Sequence, residues 1–121
     1  MDQTQKPKRY DLEERTLEFA RRCRSLVKRL PRTISNIEDA AQLIRASGSI
    51  GANYIEANAS ISKKDFSHRI KICRKESKES KFWLQLIDTG NISALEMERQ
   101  QLIEEAVELM KIFSSIMRKT E

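Results

Sequence analysis

Between Leu43 and Trp83 the chain places small residues where a helix ordinarily carries leucine, and this constrains how its neighbours can pack. Leu43, Ser47, Ile50, Tyr54 and Ala57 recur at steps of three and four, and Ile37, Ala41, Ile44, Gly48, Gly51 and Ile55 form a second row beside them. Both rows belong to one helix. Glycine inside a helix costs about 1 kcal/mol relative to alanine, so two glycines one turn apart require a return. Close approach of a neighbouring backbone at Gly48 and Gly51 is the expected one, and Ser47, Ser49 and Ala52 make the same surface shallow.

A chain of 121 residues has room for one substantial core and not for two. Few glycines, prolines and aromatics set against abundant Leu, Ile, Ala, Glu, Lys and Arg favour helices over strands. Residues 1–9, polar with one proline, read as a flexible N-terminal tail, 10–118 as a single domain, and 119–121 as a C-terminal tail. No run approaches the roughly 20 apolar residues that span a bilayer, which leads us to expect a soluble, cytoplasmic protein. Cys23 and Cys73 sit on apolar stripes of different helices, the pattern of buried reduced thiols rather than of a disulfide or zinc site.

Four helices follow from periodicity and caps. The first should begin after Asp11 in a reciprocal capping box with Glu14 and end before Pro31, burying Leu12, Thr16, Phe19, Cys23, Leu26 and Leu30. The second should be capped by Asn36 and run to about Asn58. Ser62 should cap the third, which continues to about Asp88 before Gly90 and Asn91 break it. Ser93 and Glu96 form a second capping box, opening a helix whose stripe is Leu95, Leu102, Ala106, Leu109, Phe113 and Ile116. Short connections make sequential helices antiparallel, giving an all-α, up-down-up-down four-helix bundle. From Phe82 to Ile87 the third helix is apolar on more sides than one core covers. Either Phe82, Trp83 and Leu86 face another subunit, or a wide core stripe is closed over by the following loop.

The segments SGSIGANYIEA (Ser47 to Ala57) and DFSHRIKICRKESKESKFWL (Asp65 to Leu84) resemble the four helix bundle protein family, whose founding members are encoded in intervening sequences of bacterial 23S ribosomal RNA genes. The resemblance runs from about Tyr10 to Met117. It implies antiparallel four-helix subunits in a homopentameric barrel, with Phe82, Trp83 and Leu86 at the subunit interface. For the branch that serves as accessory variability determinant of diversity-generating retroelements, it implies binding to nucleic acid and to a reverse transcriptase.

Charge is segregated along the sequence. The third helix carries Lys64, Lys71, Arg74, Lys75 and Lys78, and the fourth is acidic with Glu96, Glu98, Glu104, Glu105 and Glu108. Lys64, Lys71, Lys75 and Lys78 fall on one flank, a spacing suited to tracking phosphates without reading bases. Arg21, Arg22, Lys28 and Arg29 extend that surface if the first helix lies on the same side. The competing expectation is an ordinary solvated face with ion pairs between the third and fourth helices. Arg69 lies beside the buried stripe, near the polar positions Asn53 and Glu56, and should pair with Glu56 or Glu76.

Enzyme patterns are weak. Asp65 and His68 stand at a ligand-like spacing, but a di-iron bundle needs two Glu-x-x-His pairs and the chain has one histidine. Ser60 to Lys63 matches S-x-x-K without companion motifs, and the GSIG at Gly48 to Gly51 lies within a helical pattern rather than after a strand. The expectation is a non-enzymatic homo-oligomer, without cofactor, metal or small-molecule substrate, that offers a basic surface to RNA or DNA or to a nucleic-acid enzyme. The alternative is a purely structural or protein-binding oligomeric scaffold.

Overall fold

Asp11 opens the first helix: its Oδ1 accepts from the Glu14 amide at 3.1 Å, and α1 runs Leu12–Arg29. Among the described residues, only that half of the expected box is formed. The structure, a computed structural model, describes residues 11–120, so the expected N-terminal tail lies outside the described residues. The helices α2 (Ile34–Asn58), α3 (Lys63–Leu86) and α4 (Ser93–Thr120) follow in order. Among the described residues there is no strand.

Ser62 caps α3 as expected, accepting from Asp65 N at 3.0 Å. Other ends depart from expectation. Thr33, not Asn36, caps α2, because its hydroxyl is three residues ahead of the free Asn36 amide, at 3.1 Å. Asn36 is buried instead. Its Nδ2 donates to the carbonyls of Pro31 at 2.9 Å and Asp88 at 2.8 Å, and its Oδ1 accepts from Asp88 N at 2.9 Å. The α1–α2 and α3–α4 loops are thereby joined at one end of the bundle. The end of α3 comes at Leu86 rather than Asp88, where Ile87 turns extended and Arg99 of α4 donates to the Ile87 carbonyl at 2.6 Å. Gly90 and Asn91 then take positive φ of 67° and 59°, the left-handed region that suits glycine and asparagine.

In α4, Glu96 N bonds the Ile92 carbonyl at 2.9 Å, so Ser93 already lies within the first turn. Glu96 is drawn away from the expected box by Arg99 and Thr89. At the other end, Lys119 and Thr120 are helical rather than a tail.

The helices form an antiparallel four-helix bundle in which α1 packs on α2 and α4, and α3 packs on α2 and α4. This puts α1 and α3 on opposite corners. The core joins Phe19, Leu26, Leu43, Ile50, Ile70, Leu84, Leu102, Leu109 and Phe113, all essentially inaccessible to solvent. Each such side chain contributes about 1.5–3 kcal/mol by leaving water. The α1 stripe is buried as its spacing foretells, whereas in α4 Met117 takes the buried place expected for Ile116.

Two seams use small residues differently. Between α1 and α2, a Cβ at Gly51 would stand 2.8 Å from Thr16 Oγ1, which is fixed by donating to the Leu12 carbonyl at 2.7 Å. Gly51 is thus a true close approach. A Cβ at Gly48 would meet only the tip of Arg24, at 3.3 Å, so that glycine does not bring a backbone near. Between α2 and α3, Ala46, Ser47, Cys73, Ser77 and Ser80 are buried, and the Ser77 hydroxyl returns to the Cys73 carbonyl at 2.8 Å.

Candidate nucleic-acid interface

A helix rises about 1.5 Å per residue, so Lys64 to Lys78 extends over about 21 Å of α3. Lys64, Lys71, Arg74, Lys75 and Lys78 are all exposed, and none forms an ion pair among the described residues. Glu76, Glu79 and most acids of α4 are engaged elsewhere. Arg45 of α2 reaches Glu79 at 3.2 Å and Glu76 at 3.5 Å; in α4, Glu96 and Glu108 pair within the helix with Arg99 and Lys111, while Glu98 and Glu105 face α1. There Arg15 binds Glu105 through two hydrogen bonds of 2.7 and 3.0 Å, and Arg22 lies 3.6 Å from Glu98 and donates to Gln101. Ion pairs between α3 and α4 are absent among the described residues, so the basic face of α3 looks into solvent.

The arginines of α1 do not continue that face. Arg22 is turned to α4, Arg21 lines the groove between α1 and α2, Arg29 donates to its own Ser25 carbonyl at 3.1 Å, and Lys28 is exposed on the corner opposite α3. Diagonal placement of α1 and α3 separates the two sets.

The polar cluster is rearranged. Arg69 donates to Asn53 Oδ1 at 2.9 Å, and Asn53 Nδ2 donates onward to the Ser49 carbonyl and hydroxyl. Glu56 is exposed and takes no part, and Glu76 serves Arg45. A neutral amide thus replaces the expected carboxylate, which spares the desolvation of a buried charge pair. Glu76 is itself buried, and its Oε1 and the Ser80 hydroxyl one turn on have no hydrogen-bond partner among the described residues.

Phe82 and Leu86 are half exposed, at 54% and 50%, while Trp83 packs against the core. Phe82 and Trp83 meet edge to face, with ring centroids 5.0 Å apart. A larger apolar surface, not foreseen as such, lies between α1 and α2. Leu17, Ala20, Gly48, Gly51, Ala52 and Ile55 line an open groove of about 580 Å³, with acids Asp11, Glu13 and Glu14 and bases Arg21 and Arg24 on its rims. The second row of α2 gave the signal for it, since its Gly48, Gly51 and Ile55 line the groove and Ile55 remains about half exposed.

Nucleophilic chemistry has little support. Cys23 and Cys73 are free and buried, and burial pushes both thiols up to about 12, so neither supplies thiolate near neutrality. His68 is exposed, and no group of potential metal ligands occurs among the described residues. No described helix is long and apolar enough to cross a membrane.

The family model described as 23S rRNA-intervening sequence protein matches residues 8–115. Among solved structures, the chain is similar to a protein of unknown function from the S23 ribosomal protein family of Bacteroides thetaiotaomicron. The two share 28% identity over 87% of this chain and 96% of that one, with a TM-score of 0.73. No curated protein matches the chain.

Proposed function

We propose, given that the chain belongs to the 23S rRNA-intervening sequence protein family, that it is a non-enzymatic, self-associating bundle that docks nucleic acid, or a nucleic-acid enzyme such as a reverse transcriptase with its template, through the outer face of α3. The observation that carries this reading is the unneutralised row of Lys64, Lys71, Arg74, Lys75 and Lys78. Such a row contacts backbone phosphates, and each contact releases about 0.7 to 0.9 of a counterion. Sequence selectivity is correspondingly low.

Self-association is supported by the α1–α2 groove, whose aliphatic floor and rims of both charge signs suit a second copy of the chain. Repetition of the α3 face around a ring, five copies in the homopentamer that the resemblance implies, would multiply weak phosphate contacts. A cytoplasmic location fits both roles.

Titration of labelled RNA and DNA at several salt concentrations tests the binding half. Affinity should fall linearly on a log-log plot and differ little between sequences. Absence of binding at low salt would leave the oligomeric scaffold. Light scattering tests the other half, with about five subunits expected from the family's ring, and a monodisperse monomer would remove it.

A further inference from the structure

The basic row of α3 does not end in solvent. Continuing from Lys71, Lys75 and Lys78 by steps of four, the same helix face presents Phe82 and then Leu86. Phe82 stands about 6 Å along the axis from Lys78 and about 10.5 Å from Lys75. Lys75, Lys78, Glu79, Phe82 and Trp83 surround an open hollow of about 570 Å³, within the roughly 300–1,000 Å³ of typical ligand sites. Phe82 is 54% exposed, and Trp83 holds it by an edge-to-face contact at 77°. Trp83 is itself packed on the core, so the outer ring is braced.

The braced ring is open to a partner, and the charge around it narrows which partner fits. Lysine is depleted from the centres of protein interfaces, whereas Lys75 and Lys78 flank this ring without an ion pair among the described residues. Nucleic acid satisfies both groups at once. Phosphates neutralise the lysines and a base covers the ring, the combination by which single-stranded strands are held without sequence preference. A duplex cannot do so, because its bases already stack on one another and offer only phosphates to a helix flank.

We propose that Phe82, braced by Trp83 and flanked by Lys75 and Lys78, is a base-stacking platform that makes the protein prefer single-stranded or unpaired nucleic acid over duplex. This rests on the phosphate-binding role of the α3 face and adds the class of strand that it takes.

Trp83 is the sole tryptophan, so binding of a base at Phe82 is read directly as a change in its emission. The assay compares oligo(dT), oligo(U) and a duplex of the same length, with fluorescence and anisotropy on each. Oligo(dT) against oligo(U) distinguishes DNA from RNA as the source of the strand. Phe82→Ala should weaken binding of the single strands about tenfold, as loss of one stacked base does, and leave duplex binding and the salt slope unchanged. Phe82→Leu, which keeps an apolar side chain without an aromatic face, should show the same loss if alanine perturbs folding, and Phe82→Tyr should restore affinity. Lys75→Gln with Lys78→Gln should weaken single strand and duplex alike.

Equal single-strand affinity in Phe82→Leu and the unmodified protein would overturn the platform, as would equal losses on single strand and duplex. Dissociation of an oligomer by Phe82→Leu would assign the ring to a subunit contact and overturn it too. If the unmodified protein binds duplex and single strand equally through the lysines, the platform fails while the phosphate-binding role stands. Binding of neither fails both.

Discussion

Both α1 and α3 are rich in arginine and lysine, yet the bundle disposes of their charges in opposite ways. On α1, Arg15 and Arg22 are held by Glu105, Glu98 and Gln101 of α4, and Arg24 bonds the carbonyls of Ala20 and Ile44. On α3, the outward row faces solvent because Arg45 has claimed Glu76 and Glu79. A cation is available to a partner only where the adjoining helix supplies no carboxylate. The formal net charge of +5 does not distinguish these cases.

The contrast breaks most visibly on nucleic acid. Replacing Lys71, Lys75 and Lys78 together with glutamine should lower the slope of log affinity against log salt by about 2 to 3, at 0.7–0.9 per contact. Thermal stability should stay within about 0.5 kcal/mol of the parent, as for most exposed sites. Arg15→Gln with Arg22→Gln should do the reverse, lowering stability without moving the slope. Equal slopes in the two sets would erase the distinction between the helices.

A second probe acts where α1 meets α2. Gly51→Leu should cost about 1–3 kcal/mol in denaturant melts by overpacking against Thr16. Gly48→Ala should be neutral or gain up to about 1 kcal/mol, because only the flexible end of Arg24 must yield. Similar outcomes at the two glycines would mean that α1 does not approach α2 selectively at Gly51.

Smaller still is the Arg15–Glu105 pair, whose side chains are 31% and 21% exposed. Burial opposes the arginine's charge, but the hydrogen-bonded carboxylate outweighs it and raises the guanidinium further above its ordinary value. A double-mutant cycle should return about 1 kcal/mol or less after solvent screening. The smallest effect belongs to Glu96, whose carboxyl is held below its ordinary range first by Arg99 and then by Thr89. A depressed folded value means that this stabilisation is complete above the unfolded value, about 4.3, and is lost as pH falls through the folded one. Glu96→Gln should therefore lower stability slightly at neutral pH, leave it unchanged in strong acid, and so flatten the acid limb of stability against pH.

What the sequence made legible was local. The α1 stripe, the caps at Asp11 and Ser62, the two buried cysteines and the close packing at Gly51 all follow from residues within a turn or two of each other. The failures came from distance. Asn36 looked like a cap because asparagine caps helices, but its partner Asp88 lies 52 residues away and leaves no local trace. Arg69 was matched to a carboxylate by charge, whereas the fold puts Asn53 within reach and turns Glu76 to Arg45. The open α1–α2 groove was written in the row at Gly48, Gly51 and Ile55, but its exposure depends on where α1 sits. The α3 flank was legible as a charged stripe. Whether it was neutralised turned on Arg45, a residue that no helical pattern of α3 could implicate.

The bonds of Asn36 also bear on the order of folding events. Closing short loops is fast, whereas Asn36 and Asp88 stand at the open end of the α2–α3 hairpin and meet only once those two helices have paired along their whole length. A contact made that late is missing from the barrier that precedes it. Its loss falls on the rate of unfolding and not of refolding, so Asn36→Ala should raise the unfolding limb of a chevron plot and leave the folding limb in place. One amide thereby governs how long the assembled bundle persists rather than how quickly it forms.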